Sequence, residues 1–424
     1  MGPPVAHLAY GEGRVPLSMD PGLARWHVIA PRDEPALPNP RAAFVQACGD
    51  PAGGVPLRDV VDPDDRVCIV TSDGTRPVPN AVLLPWLLDA LPVPEERVTV
   101  LLGNGTHRAN TAEEIAGMFG ADVARRLDIR NHDAFDPDAN ARLGATSSGA
   151  PILLDKTYVE ADKRIVLGFI EPHFFAGFSG GAKGVAPAVA GIESVLHLHR
   201  FDLIAHPSST WGVLEGNPIQ QEIAEMVAPC PPDFLVNVTL NNRKEITGIY
   251  AGDCVAAHQA GCTHVRDHAM VEAPQKFPVV VTSNSGFPLD QNLYQTVKGM
   301  SAAARIVEDG GWIIVASECR DGVPAHGNFG EMLHDARSAG DLEQSLRSLP
   351  ETKLDQWEAQ IFAAILKRSR VALYSRLDKE TVEACMMTPI PGLQRAVEEC
   401  IREAGQGAPV AVLPEGPVTV PYLA

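Results

Sequence analysis

The sequence predicts an α/β protein of two α/β domains, with the active site in the cleft between them. Short β-rich runs alternate with helical stretches along the chain, which is typical of α/β folds. Polar, glycine-bearing segments follow three of the predicted strands, and in open parallel sheets ligands collect at the carboxyl ends of strands. The length of 424 residues favours two domains over one.

The N-terminal domain is predicted from its apolar runs and helix-start signals. A helix is predicted over 81–90, after Pro79-Asn80 and with Pro85 in its first turn. Thr111 and Glu114 have the spacing of a capping box, which predicts the start of another helix. The predicted buried strands are 66–70, 97–102, 164–167 and 234–238.

The segment Ala273-Pro-Gln-Lys-Phe-Pro278 predicts a domain boundary. We therefore expect an N-terminal domain of residues 1–275 and a C-terminal domain of residues 276–403. The tail 404–424, which contains a predicted strand over 409–413, is expected to return to the N-terminal domain. Within the C-terminal domain the predicted strands are 279–282, 311–315 and 371–374, and the predicted helices are about 292–306, 330–338 and 353–368.

The composition, 45% hydrophobic and 21% charged, is ordinary for a globular enzyme. A net charge of -18 argues against a nucleic-acid partner, because counterion release requires clustered Lys and Arg. The eight cysteines include no C-x-x-C pair, so neither a zinc site nor a disulfide framework is expected. The N terminus does not resemble a signal peptide, and no apolar run reaches the ~18 residues of a membrane span. We expect a cytoplasmic protein without a membrane or nucleic-acid partner.

Polar segments directly follow the first two predicted strands. Asp73-Gly-Thr-Arg76 predicts a turn that ends in an arginine suited to phosphate or carboxylate, and an ordinary surface turn is the alternative. Gly103-Asn-Gly-Thr-His107 resembles the start of a dinucleotide-binding fingerprint. Arg108 occupies the third glycine position, which argues against that site. A histidine in such a loop suits acid–base catalysis, and a solvated loop histidine fits the segment equally well.

The most informative segment runs from Gly168 to Gly184, directly after a predicted strand. It contains His173, several glycines and Lys183. Glycines at this density are tolerated where the backbone takes positive φ or approaches a ligand closely. The spacing is not that of a P-loop, because Ala182 precedes the lysine and Gly184 follows it. ATP or GTP hydrolysis is therefore not expected.

Two histidines, His197 and His199, fall in a predicted helix that begins at Ile192. Residues two apart on a helix point roughly 200° away from each other, so one metal ion cannot be bound by both. One of the two histidines suits a metal ligand, and a surface pair is the alternative.

Polar side chains also share one face of a predicted helix in the C-terminal domain. Tyr294 and Lys298 are an i,i+4 pair, and Gln295 lies beside them. This face suits the recognition of a small anion. A plain amphipathic helix would place the same residues there.

Together these segments resemble the nickel-dependent lactate racemase family, whose members use a nickel-pincer nucleotide. The matching segments span nearly the whole chain and keep their order. They are Tyr10-Gly-Glu-Gly-Arg-Val, Asp73-x-Thr-Arg76-Pro, Gly105-Thr-His107-Arg, Asn131-His-Asp133, Pro172-His173, Ser179-Gly-Gly-x-Lys183, His199, Tyr294-Gln295-x-x-Lys298-Gly, Trp357-Glu-Ala-Gln360 and Leu413-Pro-Glu-Gly-Pro. Pro187-Ala188 departs from the Pro-Gly of the family without removing a reactive group.

The resemblance implies a cofactor and the residues that hold it. The nickel-pincer nucleotide, a pyridinium-3,5-bisthiocarboxylic acid mononucleotide, is expected to be attached covalently to Lys183. His199 is expected to be the protein ligand to nickel, which accepts imidazole in planar four-coordinate sites. The remaining cofactor contacts are expected from Asp73, Arg76, Gly180 and Gly181.

The resemblance also implies the catalytic chemistry. His107 and His173 are expected to be the acid–base pair, one on each side of the substrate. Hydride is expected to move from C2 of a 2-hydroxy carboxylate to the pyridinium and to return to the opposite face of the planar 2-keto acid. The expected substrate-binding residues are Arg76, Tyr294, Gln295, Lys298 and Trp357.

The expected function is therefore racemisation of lactate or another short-chain 2-hydroxy carboxylate. Racemisation or epimerisation of a larger or more acidic hydroxy acid, such as malate, an aromatic acid or a sugar acid, stays open. An NAD-dependent 2-hydroxy acid dehydrogenase is disfavoured by the incomplete fingerprint, and a non-catalytic nickel- or anion-binding protein by the presence of both His107 and His173. The expected partners are the small-molecule substrate and the cofactor-maturation enzymes, with the chain as a monomer or weak homo-oligomer.

Overall fold

The structure is a computed structural model that describes residues 2–32, 34–324 and 327–423. Among the described residues, no helix combines the length and the apolarity needed to cross a bilayer. The strands are β1 Val5–Tyr10, β2 Gly13–Ser18, β3 Arg25–Val28, β4 Val67–Ser72, β5 Val98–Gly103, β6 Asp128–Asn131, β7 Asn140–Ala145, β8 Pro151–Asp155, β9 Lys163–Phe169, β10 Pro172–His173, β11 Gly177–Phe178, β12 Phe234–Leu240, β13 Ile246–Gly252, β14 Met270–Glu272, β15 Phe277–Ser283, β16 Val307–Ala316, β17 Arg370–Tyr374, β18 Thr388–Pro389, β19 Pro409–Leu413 and β20 Val420–Tyr422. The helices are α1 Pro40–Gly49, α2 Leu57–Val60, α3 Asn80–Ala90, α4 Ala112–Phe119, α5 Ala121–Arg126, α6 Lys156–Val159, α7 Ile192–Leu198, α8 Phe201–Ile204, α9 Pro218–Val227, α10 Cys254–Ala269, α11 Leu293–Ala304, α12 Phe329–His334, α13 Ala339–Arg347, α14 Gln356–Arg368, α15 Lys379–Ala384 and α16 Leu393–Ala404.

The chain divides into two compact units. The N-terminal unit consists of Asp33–Leu198 and His206–Arg266, and the C-terminal unit of Met1–Arg32, His199–Ala205 and Asp267–Ala424. These boundaries differ from the predicted ones. Both ends of the chain belong to the C-terminal unit, and so does the short segment that begins with His199.

The N-terminal unit is built on a six-stranded sheet with the order β13-β12-β9-β4-β5-β6. The strands are parallel except for β13, which runs antiparallel to β12. Ile69, Val100 and Val236 are fully buried in the apolar core on this sheet, as expected for strands covered on both faces. Because β4, β5 and β9 are parallel, the three polar segments that follow them begin at the same edge of the sheet.

The C-terminal unit is built on a second six-stranded sheet with the order β18-β17-β16-β15-β19-β3, in which all neighbouring strands are parallel. Strand β19 lies between β15 and β3, so the tail does not return to the N-terminal unit as predicted. The physical reason is burial. Val410 and Val412 are completely buried in the core of this sheet, and an apolar strand of this kind needs hydrogen-bonded neighbours on both sides.

The helices predicted from local sequence signals agree only partly with the structure. The predicted capping box is present: the Thr111 hydroxyl accepts the N–H of Glu114, and the Glu114 carboxylate accepts the N–H of Thr111. Pro85 lies inside α3 and not in its first turn, because the helix begins at Asn80. Helix α7 ends at Leu198, so His199 lies beyond the helix predicted to contain it. Several helices were not predicted, among them α1, α9, α10, α13 and α16.

Candidate active site

Asp73 and His107 form a carboxylate–imidazole pair in the N-terminal unit. They follow the neighbouring parallel strands β4 and β5, whose last residues, Ser72 and Gly103, are paired in register. Oδ2 of Asp73 lies 2.8 Å from Nδ1 of His107, and its Oδ1 accepts the Thr75 hydroxyl at 2.6 Å. The Asp73 carboxyl is buried, whereas the His107 side chain is 49% exposed. The pair therefore presents a supported imidazole to solvent.

The charge of Asp73 determines which nitrogen of His107 carries the proton. Burial acts to raise the pKa of Asp73, but the hydrogen bonds from His107 and Thr75 outweigh it and lower this pKa below its ordinary value. A carboxylate accepts and does not donate, so the neutral His107 ring has its proton on Nδ1. Nε2 then carries the lone pair, which is the form of a general base.

Arg76 completes the turn that begins at Asp73. Its backbone N–H donates to the carbonyl of Asp73 at 3.3 Å, which closes the turn. Within the described parts of the chain, the Arg76 guanidinium makes no hydrogen bond or ion pair. A half-buried guanidinium of this kind can bind a phosphate or carboxylate through two parallel hydrogen bonds.

His173 is buried in the short β10–β11 hairpin, where it pairs with Gly177. Its ring packs edge-on against Phe175, with the centroids 4.5 Å apart. The backbone N–H of Ala176 donates to Nδ1 of His173 at 3.3 Å. Nδ1 is thus an acceptor, and the neutral ring carries its proton on Nε2. The two predicted acid–base histidines are therefore in opposite tautomers.

Lys183 lies in a tight turn that requires glycine at two positions. Gly180 and Gly181 have φ angles of 77° and 57°, in the left-handed region that disfavours other residues. A Cβ atom at Gly180 would lie 2.6 Å from Oδ1 of Asn237, and one at Gly181 would lie 2.6 Å from the His258 ring. The turn that carries Lys183 is thus packed closely against the side chains beneath it.

Two buried polar side chains hold this turn in place. Oδ1 of Asn237 accepts the N–H of Gly181 at 2.9 Å, and Nε2 of His258 donates to the carbonyl of Ser179 at 2.8 Å. Burial lowers the pKa of His258, which keeps its imidazole neutral. Sequence reasoning missed both residues. The polar Asn237 inside the apolar run 234–238 was a usable signal, whereas His258 on helix α10 offered none.

In the C-terminal unit, His199 is buried against an aromatic group. Its ring lies 4.2 Å from the ring of Trp357, measured between centroids. The indole N–H of Trp357 donates to the Tyr294 hydroxyl at 3.1 Å, and Tyr294 packs edge-on against Phe329. Trp357 therefore connects the imidazole of His199 with the polar face of α11.

Lys298 and Gln295 lie on the same face of α11. Nζ of Lys298 donates to Oε1 of Gln295 at 2.7 Å, so the ammonium is held along the helix surface. The helix is capped by Asn292, whose side chain accepts the N–H of Gln295. The predicted substrate-binding residues of this unit, Tyr294, Gln295, Lys298 and Trp357, thus form one group with His199.

A further contact that sequence reasoning missed fixes the segment after His199. Nε2 of Gln360 donates to the carbonyl of Phe201 at 2.8 Å. Gln360 is buried on α14, one turn beyond Trp357, so α14 contacts this segment at two points. Gln360 belongs to the motif Trp357-Glu-Ala-Gln360, which was a usable signal.

Comparisons with known proteins match both halves of the chain. A family model described as the lactate racemase N-terminal domain matches residues 10–212, and one described as the lactate racemase C-terminal domain matches residues 273–420. The lactate racemase of Thermoanaerobacterium thermosaccharolyticum is 36% identical over 376 residues, which is 88% of each chain. The lactate racemase of Lactiplantibacillus plantarum is also 36% identical over 376 residues, which is 87% of each chain.

Solved structures give the same result. The lactate racemase apoprotein of T. thermosaccharolyticum matches with a TM-score of 0.93 and 32% identity, over 99% of this chain and 100% of the other. A Thermotoga maritima protein, a structural genomics target, matches with a TM-score of 0.69 and 16% identity over 93% of this chain and 100% of the other. At that identity the second likeness concerns the fold alone.

Proposed function

The chain belongs to the lactate racemase family, and on this premise we propose that it racemises lactate or another short-chain 2-hydroxy carboxylate. The observation that carries the proposal is the complementary state of two histidines in one unit. His107 holds a lone pair on Nε2 because Asp73 accepts its other nitrogen, and His173 holds a proton on Nε2 because Ala176 donates to its other nitrogen. Reversible inversion of a hydroxyl-bearing carbon requires a base and a proton donor. Neutral His107 has the base form at Nε2, whereas His173 serves as the acid only when its ring carries a second proton, as the imidazolium.

The proposed cofactor is the nickel-pincer nucleotide, provided by maturation enzymes. The side chains present suit this group: Lys183 has an amine for covalent attachment, Arg76 a guanidinium for the phosphate and His199 a buried imidazole for nickel. Gly180 and Gly181 provide the positive φ angles of the turn that carries Lys183. When bound, the nucleotide supplies a pyridinium carbon that accepts the C2 hydrogen of the substrate with its electron pair and returns it.

The protein provides the proton transfers. Nε2 of His107 accepts the hydroxyl proton as the hydroxyl becomes a carbonyl, and the carboxylate of Asp73 stabilises the imidazolium that forms. His173 performs the matching transfer on the opposite side. Because one ring must be neutral while the other is protonated, the pair shares one proton over the cycle. The rate is therefore expected to depend on pH with a bell-shaped profile.

The C-terminal unit provides the proposed contacts to the substrate. The Lys298 ammonium, held by Gln295, attracts the substrate carboxylate. Tyr294 and Trp357, joined by their hydrogen bond, limit the space beside it and favour a short side chain on C2. Lactate meets both requirements.

The decisive experiment uses the cofactor-loaded chain with L-lactate deuterated at C2 and no added nicotinamide. Chiral chromatography with mass detection is expected to show D-lactate that retains the deuterium. Loss of the label would instead indicate carbanion chemistry, and a requirement for NAD would indicate a dehydrogenase. Inversion of a larger hydroxy acid from an enantiopure panel, without inversion of lactate, would reassign the substrate. Chain produced without the maturation enzymes is the inactive control.

A further inference from the structure

Glu358 is a buried acid that the proposed mechanism does not use. It follows Trp357 on α14 and is only 1% exposed. Among the described residues, its Oε1 atom has no hydrogen-bond partner. A buried carboxyl oxygen without a partner is costly if the group is charged, so this position calls for an explanation.

The surroundings of Glu358 favour its neutral form. Burial raises its pKa to about 8, with a smaller contribution from Asp355, even though the Lys298 ammonium acts to lower it. Lys298 lies on α11, which packs against α14, and Asp355 precedes α14. His199 and Tyr294 are further titratable groups against this part of α14, through their contacts with Trp357. Other elements that pack on α14 are α8, α12, α13 and β16. Among the described residues, their titratable or charged groups do not contribute to the raised pKa of Glu358; these groups are Asp202, Glu308, Asp309, Glu331, His334, Asp341, Glu343 and Arg347.

We propose that Glu358 is a positioning residue that stays an uncharged acid and thereby sets the affinity of Lys298 for the substrate carboxylate. This inference rests on the proposed function. A protonated Glu358 does not compete with a substrate anion for the ammonium. An ionised Glu358 would compete, because it would neutralise Lys298 and repel a carboxylate brought next to it. Glu358 acts through Lys298 and has no part in the transfer of the hydrogen on C2.

Proton binding and substrate binding are therefore coupled. A substrate carboxylate near Lys298 makes ionisation of Glu358 less favourable, so the substrate raises the pKa of this acid. By linkage, a proton on Glu358 raises the affinity for the substrate by the same factor. The coupling affects the binding of the substrate and leaves the chemical step to the two histidines.

The test compares KM and kcat for the lactate reaction between pH 6.5 and 9.5 in the cofactor-loaded wild-type chain and in E358Q. Glutamine has the shape of the neutral acid at every pH. We expect the wild-type KM to rise about fivefold from pH 8 to pH 9, as for loss of one required proton whose pKa is near 8. The KM of E358Q is expected to stay near the wild-type value at pH 7, while kcat follows the same profile in both proteins. A parallel rise of KM in the two proteins would overturn the proposal.

A second measurement tests this inference independently of the proposed function. Carbon-13 NMR of carboxyl-labelled glutamate follows the titration of Glu358 directly, with its signal assigned by its loss in E358Q. We expect a midpoint near pH 8 that moves upward when lactate is added. A midpoint near the ordinary value of 4.5 would overturn the inference even in an active racemase. If the loaded chain inverted no hydroxy acid, the proposed function would be wrong. A midpoint of the Glu358 titration that did not move on addition of lactate would reject this inference independently.

The control variant is E351Q, which removes an exposed carboxylate a short distance before α14. It is expected to leave the wild-type pH profile of KM unchanged. Circular dichroism of E358Q and E351Q checks that both variants are folded. If E351Q flattened the profile as E358Q does, the effect would come from general surface charge and the assignment to Glu358 would be wrong.

Discussion

The carboxylate of Asp73 lies 2.8 Å from Nδ1 of His107, and this contact joins the ends of two neighbouring parallel strands. The sequence assigned Asp73 to cofactor binding and His107 to catalysis, as separate roles. The contact connects them, because the acid determines the tautomer of the base. We therefore expect Asp73 to position His107, through a contact that does not depend on any bound group.

D73N is expected to lower kcat by roughly 10²–10⁴-fold. The amide lacks the negative charge that stabilises the imidazolium, and its N–H₂ group can face Nδ1 and reverse the tautomer of His107. Steady-state kinetics measures the loss, and intact mass verifies that the adduct on Lys183 is retained. T75V, which removes only the hydroxyl bond to Asp73, is the milder control. Equal kcat in D73N and the wild type would contradict the positioning role.

The lowered pKa of Asp73 predicts how the stability of the protein depends on pH in the acid range. Because hydrogen bonds from His107 and Thr75 lower it, the stabilisation they give is complete above the ordinary value of 3.8. That stabilisation is lost only as the pH falls below this value, through the folded-state pKa. We therefore expect denaturant unfolding to show a loss of stability below pH 4 that is larger in the wild type than in D73N. Equal sensitivity of the wild type and D73N to acid would contradict a stabilised Asp73 carboxylate.

H107A and H173A are each expected to abolish racemisation in both directions, a loss of at least about 10³-fold. Nickel content and the mass of the Lys183 adduct are expected to be unchanged. Chiral chromatography from each pure enantiomer measures the rates. H7A, which truncates an exposed histidine on β1, is the matched control. Substantial inversion by either H107A or H173A would remove that residue from the acid–base pair.

G181A is expected to prevent attachment of the cofactor to Lys183. The added Cβ atom would lie 2.6 Å from the His258 ring, and the φ of 57° disfavours any residue with a side chain, at a cost of roughly 1–3 kcal/mol. Intact mass spectrometry after expression with the maturation enzymes measures the adduct. G117A is the control, because its Cβ atom would meet nothing within 4 Å. Full adduct formation in G181A would show that the turn tolerates a shift at this position.

Q360A is expected to weaken nickel retention without changing the adduct on Lys183. Loss of the amide leaves the carbonyl of Phe201 without this hydrogen bond and opens a cavity beside the segment that begins with His199. Metal analysis after dialysis against a chelator measures the nickel that remains. Q344A, on the exposed side of α13, should retain as much nickel as the wild type. Equal retention in Q360A would exclude a role for Gln360 in holding His199.

Glu358 is also expected to affect stability in a pH-dependent way. Its folded-state pKa of about 8 lies above the ordinary value of 4.5, so folding favours the protonated form. This contribution is complete below pH 4.5 and is lost as the pH rises through 8. Denaturant unfolding should show a free energy that falls between pH 5 and pH 9 by a few kcal/mol more in the wild type than in E358Q. Identical pH dependence in the two proteins would contradict a buried, neutral Glu358.

Local signals predicted several parts of the fold correctly. Thr111 and Glu114 lie three residues apart, and the capping box they form depends on nothing beyond that spacing. The apolar runs that became β4 and β9 were recognisable because buried parallel strands need apolar residues on both faces. Pro85 was placed wrongly in the first turn of α3. The burial of Leu84 and Leu87 around it stabilises a helix that proline alone would disfavour.

Contacts between distant segments were beyond the reach of sequence reasoning. Asn237 and His258 support the turn of Lys183 from a strand and a helix far along the chain, and no local pattern connects them with Gly181. The tail strand was assigned to the wrong unit for the same reason. An apolar run such as 409–413 shows that a strand is buried, but its neighbours β15 and β3 are chosen by packing.

The sequence by itself determined the α/β class, the order of the predicted site residues and the family resemblance. Each of these can be recognised from the pattern and spacing of residues along the chain. The tertiary structure decided which of these residues touch. It paired Asp73 with His107, placed His199 against Trp357 and buried Glu358 where its charge is disfavoured. Proton position and charge state depend on the distance to other groups and on access to water. These quantities exist only once the chain has folded.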